Sequence, residues 1–179
     1  MERVRKLPNL YRCLTRMESG FAYRPGRKFN HRQVRVAVAE RFSYSKQVGR
    51  GAFKTVFRVE WGKRTLIVKV GAPQYITADR EAYRRMRKVL RGVGLSCYAR
   101  IFWFTKFFEV QEVADVRVLP PKKVVEPIRD LLYTNGLADV RPCNFGVVRG
   151  EWRIIDISTK EFMDEWRKGK GVKNANVRH

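Results

Sequence analysis

The sequence predicts an α+β fold: a strand-rich segment interrupted by one long helix, then a second helix, a polar loop and a short hairpin. Three observations predict it. From Phe42 the chain becomes rich in β-branched and aromatic residues, "FSYSKQVGRGAFKTVFRVEWGKRTLIVKVG", broken at Gly49, Gly51 and Gly62. "TADREAYRRMRKVL" then spaces Ala78, Ala82, Met86 and Val89 by three and four residues, the period of an amphipathic helix. Further on, "NFGVVRGEWRIIDIS" sets two apolar runs around Arg149-Gly150, as a hairpin does.

Taken in order, the first 42 residues are basic and irregular. A short helix is expected after Pro8, with Leu10, Leu14 and Met17 at helical spacing. "ESGFAYRPGRKFN" reads as a loop because of its Pro-Gly, and "HRQVRVAVAERF" as a further helix. Strands are expected over 43–49, 53–61 and 64–70, with "EWGKR" as the turn between the last two. In the third strand Leu66, Val68 and Val70 share one face and Ile67 and Lys69 the other. A lysine in so apolar a strand must reach solvent or meet a partner. The helix 77–90 has Thr77 as its cap and Gly92 and Gly94 at its end. "CYARIFWFT" and "KFFEVQEVA" are two more strands around a short turn. "KKVVEPIRDLLYTNG" is a helix closed by Gly136, with Pro127 in its first turn or kinking it. "TKEFMDEWRKGK" suits a last helix and "GVKNANVRH" a frayed basic tail.

Composition narrows the function classes. The 179 residues are 44% hydrophobic, enough for a core and inconsistent with a disordered chain. No apolar run approaches the roughly 18 residues of a membrane span, and the N-terminus lacks the apolar stretch of a signal peptide. Cys13, Cys97 and Cys143 are scattered and odd in number, so neither a disulfide framework nor a metal spacing follows; a cytoplasmic location is expected. Two histidines argue against a His-based zinc site. The net charge of +22 favours polyanionic partners, whether nucleic acid, phosphorylated ligands or acidic protein surfaces.

Four motifs carry the chemistry. "VGRGAFKTVFRV" sets Gly49 and Gly51 two positions apart, followed by Phe53 and Val56, a glycine pattern that many β-hairpins share. "LIVKV" presents Lys69, 20 residues after Gly49, and "DREAYRRM" offers Glu81, with Asp79 in competition. "FFEVQEVADV" ends a strand at a segment covering Glu112 to Ala114. "DVRPCN" sets Asp139, Arg141 and Asn144 within six positions, and "IID" adds Asp156 twelve residues after Asn144. On its own, "ADVRPCN" also reads as a capping turn in which Asp139 and Asn144 satisfy backbone groups. Cys143, inside it, reads as a small residue that packs.

In this order the segment 43–158 resembles a protein-kinase superfamily domain, most nearly the very short bacterial and phage forms. The resemblance implies a five-stranded antiparallel N-lobe with one long helix over 43–115 and a minimal C-lobe over 116–158. A basic extension, 1–42, precedes it, and a basic helix and tail, 159–179, follow. It also implies ATP and Mg²⁺. Gly49, Gly51, Phe53, Lys54 and Val56 would cover the phosphates, with Lys54 standing where a third glycine is usual. Lys69 would hold the α- and β-phosphates, fixed by Glu81. The backbone of Glu112 to Ala114 would face adenine. Asp139 would take the acceptor proton, Arg141 would neutralise charge on the transferred phosphoryl group, and Asn144 and Asp156 would bind the metal.

"LAD" lacks the usual His-Arg before the catalytic Asp, "DIS" replaces Asp-Phe-Gly, and no Ala-Pro-Glu segment follows. The expected function is therefore a small Mg-ATP-dependent phosphotransferase of the protein Ser/Thr kinase type, acting on itself or another protein. The alternatives are a kinase-fold pseudoenzyme, serving as a basic nucleotide- or nucleic-acid-binding regulatory module, and a small-molecule kinase.

Overall fold

The structure is a computed structural model and describes residues 8–21, 23, 29–51 and 53–175. The middle of the loop expected between the first two helices, and the last four residues of the expected tail, lie outside the described residues. Among the described residues the fold is α+β, with a five-stranded antiparallel sheet and five α-helices. It divides into two compact units, 1–77 with 100–113 and 78–99 with 114–179.

The first unit holds α1 (Pro8–Ser19), α2 (His31–Arg41), β1 (Ser45–Arg50), β2 (Lys54–Trp61), β3 (Arg64–Gly71), β4 (Ile101–Phe104) and β5 (Phe108–Glu112). The strands run β1-β2-β3-β5-β4, every neighbour antiparallel. Registers Phe57↔Val68 and Val68↔Val110 put the apolar alternates of three strands on one face. That face is covered by Leu10 and Leu14 of α1 and Val34 and Val38 of α2, all fully buried with Phe42, Leu66, Val70 and Phe108 in one core. Each such side chain contributes about 1.5–3 kcal/mol on burial. Leu10, Leu14, Val34, Val38 and Phe42 are thus built into the sheet's core. Glu18 ties α1 to the β4–β5 turn, accepting hydrogen bonds from the Thr105 hydroxyl and, at 2.7 Å, from the Phe107 N–H.

The long helix α3 (Pro73–Gly92) starts earlier than the expected 77–90. Proline with its preset φ initiates it, and Ala72 O accepts from Tyr75 and Ile76 N–H at 3.0 and 3.2 Å. Thr77, expected as the cap, lies exposed inside the helix.

The second unit takes α3 from Ala78 and adds α4 (Lys122–Thr134), β6 (Leu137–Ala138), β7 (Phe145–Val148), β8 (Glu151–Ile154), β9 (Ser158–Thr159) and α5 (Lys160–Ala175). Pro127 sits inside α4 rather than in its first turn, and α5 runs into the stretch expected to fray. The expected apolar stripe of α3 holds at Ala82 and Met86, but Leu90 is the fully buried residue where Val89 was expected. Arg149 and Gly150 both have positive φ, 53° and 82°, the two-residue turn that suits a twisted hairpin. Among the described residues, no helix is long and apolar enough to cross a membrane.

Candidate functional site

In the second unit the polar loop 139–144 is held from both sides by short ladders. Before it, Leu137 and Ala138 pair with Thr159 and Ser158. After it, Phe145 pairs with Ile154, and the Ile155 N–H donates to Asn144 O at 2.8 Å. Asp156 therefore lies between Ile155, bonded to Asn144, and Ser158, paired beside Asp139. Two short ladders, β6–β9 and β7–β8, thus set the backbone of Asp156 alongside the loop that carries Asp139 and Asn144.

Within the loop, Asp139 has φ 64°, the left-handed region that Asp tolerates better than most non-glycine residues. Its carbonyl accepts from the Arg141 N–H at 3.0 Å and from Asn144 Nδ2 at 2.6 Å. Its carboxylate receives Asn144 Nδ2 at 3.1 Å on Oδ2 and Arg141 Nε at 2.6 Å on Oδ1. Pro142 opens a single 3₁₀ turn, Pro142–Asn144, closed by the Asn144 N–H on Arg141 O at 2.9 Å. Asn144 is buried and Arg141 exposed. The Asn144 amide does satisfy a backbone carbonyl, as a capping turn would have it. Among the described residues, the Asp139 carboxylate accepts from the side chains of Asn144 and Arg141 alone. Cys143 is exposed, not packed inside, because the 3₁₀ turn directs it outward; its Sγ lies 3.7 Å from Asn144 Oδ1.

Asn144 spends its amide nitrogen on Asp139, and its Oδ1 receives the weak thiol donor of the exposed Cys143 at 3.7 Å, which a cation could displace. Among the described residues, no three His, Cys, Asp or Glu side chains cluster as a metal cage. One amide oxygen and one or two carboxylates fit Mg²⁺, which keeps waters and shares phosphate oxygens rather than demanding an all-protein shell.

Ala114, expected at the adenine-facing segment, belongs to this unit, whose boundary falls between Val113 and Ala114. Asp115 and Val147 exchange backbone hydrogen bonds of 2.8 Å each way. This approach requires Gly146: an added Cβ would stand 2.7 Å from Ala114 Cβ and 3.1 Å from Asp115 O. Asp115 is held at about 2, below the usual carboxylate range, by the Arg117 guanidinium and backbone N–H.

The first unit carries Lys69, buried on the sheet face opposite the helices. Its ammonium lies 2.9 Å from Glu109 Oε1 on β5, its cross-strand neighbour. The contact is an ion pair by distance, while no well-directed hydrogen bond reaches that buried oxygen. This corrects the expected pairing with Glu81. Glu81 is exposed and bound to Arg85 at 3.1 Å, one turn on. Two positions along a helix are about 200° apart, so Asp79 and Glu81 face opposite ways, and Asp79 is the buried one. Glu109 was missed because it stands 40 residues from Lys69. The signal was present: a carboxylate inside "FFEVQ" mirrors the lysine inside "LIVKV".

The loop between β1 and β2 has its own economy. Gly49 sits at a β-bulge opposite Val56, and Gly51 N–H donates to Lys54 O at 2.9 Å. A Cβ at either glycine meets only ordinary contacts, at 3.6 and 3.9 Å, so the fold places no steric demand on them. Phe53 packs on Tyr75 at 4.7 Å between ring centroids, and Lys54 is half-buried. Glu112 accepts from the Arg100 N–H at 2.6 Å.

Against known proteins, no family matches the chain and no curated sequence matches it.

Proposed function

We propose that the chain is a small Mg-ATP-dependent phosphotransferase of the protein-kinase-like type. The observation that carries this reading is the loop geometry: Asn144 locked onto Asp139 and bonded through its carbonyl to the residue before Asp156. Support also comes from the element order, three strands, a helix, two strands, a helix, a polar loop and a hairpin. A further support is a pair of glycines that the fold does not itself require.

In this reading Asp139 accepts the proton of the attacking hydroxyl, and Arg141, exposed and already beside it, leaves that carboxylate for the incoming phosphoryl group. Asn144 Oδ1 and Asp156 hold Mg²⁺, which when bound neutralises charge on the phosphate oxygens. Lys69 contributes a phosphate contact, and the backbone at Gly49 and Gly51 admits phosphate closely.

The test uses wild type, Asp139→Asn and Asp156→Asn with labelled ATP. Transfer by wild type, falling about 10²–10⁴-fold in Asp139→Asn, supports the assignment. Equal label in all three ends it. Mg-ATP at about 100 times its Kd adds about 2.7 kcal/mol of stability, a gain that Asp156→Asn should abolish. The Lys69–Glu109 pair favours one second reading, a nucleotide-binding pseudoenzyme, since the phosphate-binding charge is already neutralised. That reading gives the thermal shift without transfer.

A further inference from the structure

The second half of α3 is dense in cations: Arg84, Arg85, Arg87, Lys88 and Arg91. Two have structural duties. Arg85 bridges Glu81 and Glu161 at 3.1 Å each and reaches Gly136 O at 3.3 Å. Arg87 lies over the Tyr83 and Tyr98 rings at 5.6 and 5.8 Å and donates to the Tyr98 hydroxyl. The other three, Arg84, Lys88 and Arg91, are exposed, and among the described residues none of their side chains has an ion pair or hydrogen-bond partner.

Their spacing, i, i+4 and i+7, places them on one stripe of the helix about 10 Å long. Like charges at these spacings repel. The helix dipole rewards cations only in the last turn, which accounts for Arg91 but not for Lys88 or for Arg84, two turns before the end. Such a stripe is favourable when a polyanion lies along it. About 10 Å covers three to four phosphates of one nucleic-acid strand, each rising about 3.4 Å. Arginine forks grip phosphate oxygens in pairs, and lysine supplies a point charge. The net charge of +22 adds long-range attraction for the same partner.

We propose that the exposed face of α3 formed by Arg84, Lys88 and Arg91 binds the phosphate backbone of a nucleic acid, without reading bases. The proposal is independent of phosphoryl transfer.

The experiment measures fluorescence anisotropy of labelled DNA duplex, RNA duplex and single strand, about 20 nucleotides long, with the full chain at about 50–200 mM KCl. Wild type should bind, and more weakly as salt rises. The variant Arg84→Gln/Lys88→Gln/Arg91→Gln should flatten the log–log salt slope by about 2–3, at about 0.7–0.9 per lost contact. It should also bind at least about tenfold more weakly at the lowest salt. A matched variant, Arg35→Gln/Lys46→Gln/Arg58→Gln, removes equal exposed charge from the first unit and should keep the slope within about 1. Glutamine is a good helix former, so circular dichroism should be unchanged. If the triple variant loses helicity, Arg84→Gln alone decides, with a slope change of about 0.7–0.9. The proposal is overturned by an α3 variant that binds like wild type or by equal weakening in both triple variants. It is also overturned if wild type fails to bind at the lowest salt, or prefers phosphatidylserine vesicles to all three nucleic acids.

Discussion

Replacing Lys69 by methionine keeps the length of the side chain and removes its charge. Its partner, Glu109, is 2% exposed and 2.9 Å away. At that separation the attraction is about 6 kcal/mol with an effective dielectric constant near 20. Much of it offsets the desolvation of the two ions. Removing one ion forfeits the attraction and leaves the other buried, which costs about 3–5 kcal/mol. Removing both, as Lys69→Met/Glu109→Leu, eliminates the desolvation as well, so that variant should lie within about 1 kcal/mol of wild type or above it. For a chain of this size, about 2–4 °C per kcal/mol converts the single-variant loss into a fall in Tm of about 6–20 °C.

The assay is urea unfolding of wild type, both single variants and the double variant, read as a double-mutant cycle. The expected coupling is at least about 3 kcal/mol. If the single losses add in the double variant, the two groups do not interact and the buried-pair argument fails. The result also bears on the functional assay. Lys69→Ala, the obvious probe of the proposed phosphate site, would lose stability, so a lost ATP shift in that variant would not by itself report on the ligand. Asp139→Asn and Asp156→Asn are the cleaner probes, because they leave the sheet untouched.

Other outcomes follow from single contacts. Gly146→Ala should lose about 1–3 kcal/mol, read by thermal unfolding, because its Cβ would press on Ala114 and Asp115. His31, bonded through Nδ1 to the Thr55 hydroxyl at 2.8 Å, should titrate by NMR below 6.5; burial lowers it most and Arg50 adds to the shift. Its neutral form is the one the fold favours, so this contribution is complete above pH 6.5 and is lost as pH falls through the lowered value. Arg50→Gln should raise the midpoint by only the smaller share. Asp115 should titrate near 2 in the same experiment and return to the ordinary carboxylate range in Arg117→Ala.

The elements were legible where local pattern decides them. The turns at Gly62 and at Arg149-Gly150, the alternation in β3 and the helical period of α3 are all short-range signals. The start of α3 was misjudged because Thr77 looked like a cap, whereas Pro73 had already fixed the first turn. What the residues could not disclose was partner choice across the sheet. Lys69 had two carboxylates in view on the following helix. Its strand neighbour emerges only once β3 and β5 are paired in register. Cys143 follows the same rule, since a one-turn 3₁₀ segment decides whether it points in or out.

That register also separates two kinds of burial in the same sheet. One face is mainly apolar and covered by α1 and α2, with the buried Thr55 bonded to His31 of α2 as its polar member, so substitutions of its apolar residues act first on stability. The other face carries Lys69, Glu109 and Gln111, all buried and polar, at consecutive cross-strand positions. Buried ions confer little stability over well-packed apolar residues, because desolvation offsets their attraction. A sheet selected for stability alone would carry leucine or valine at both ion positions. The double variant therefore discriminates between two explanations of the pair. If Lys69→Met/Glu109→Leu is as stable as wild type and still shows the Mg-ATP shift, the ions are dispensable to both fold and ligand. If it is as stable but loses the shift, the pair is kept for the ligand, and the lysine's charge is what the nucleotide meets.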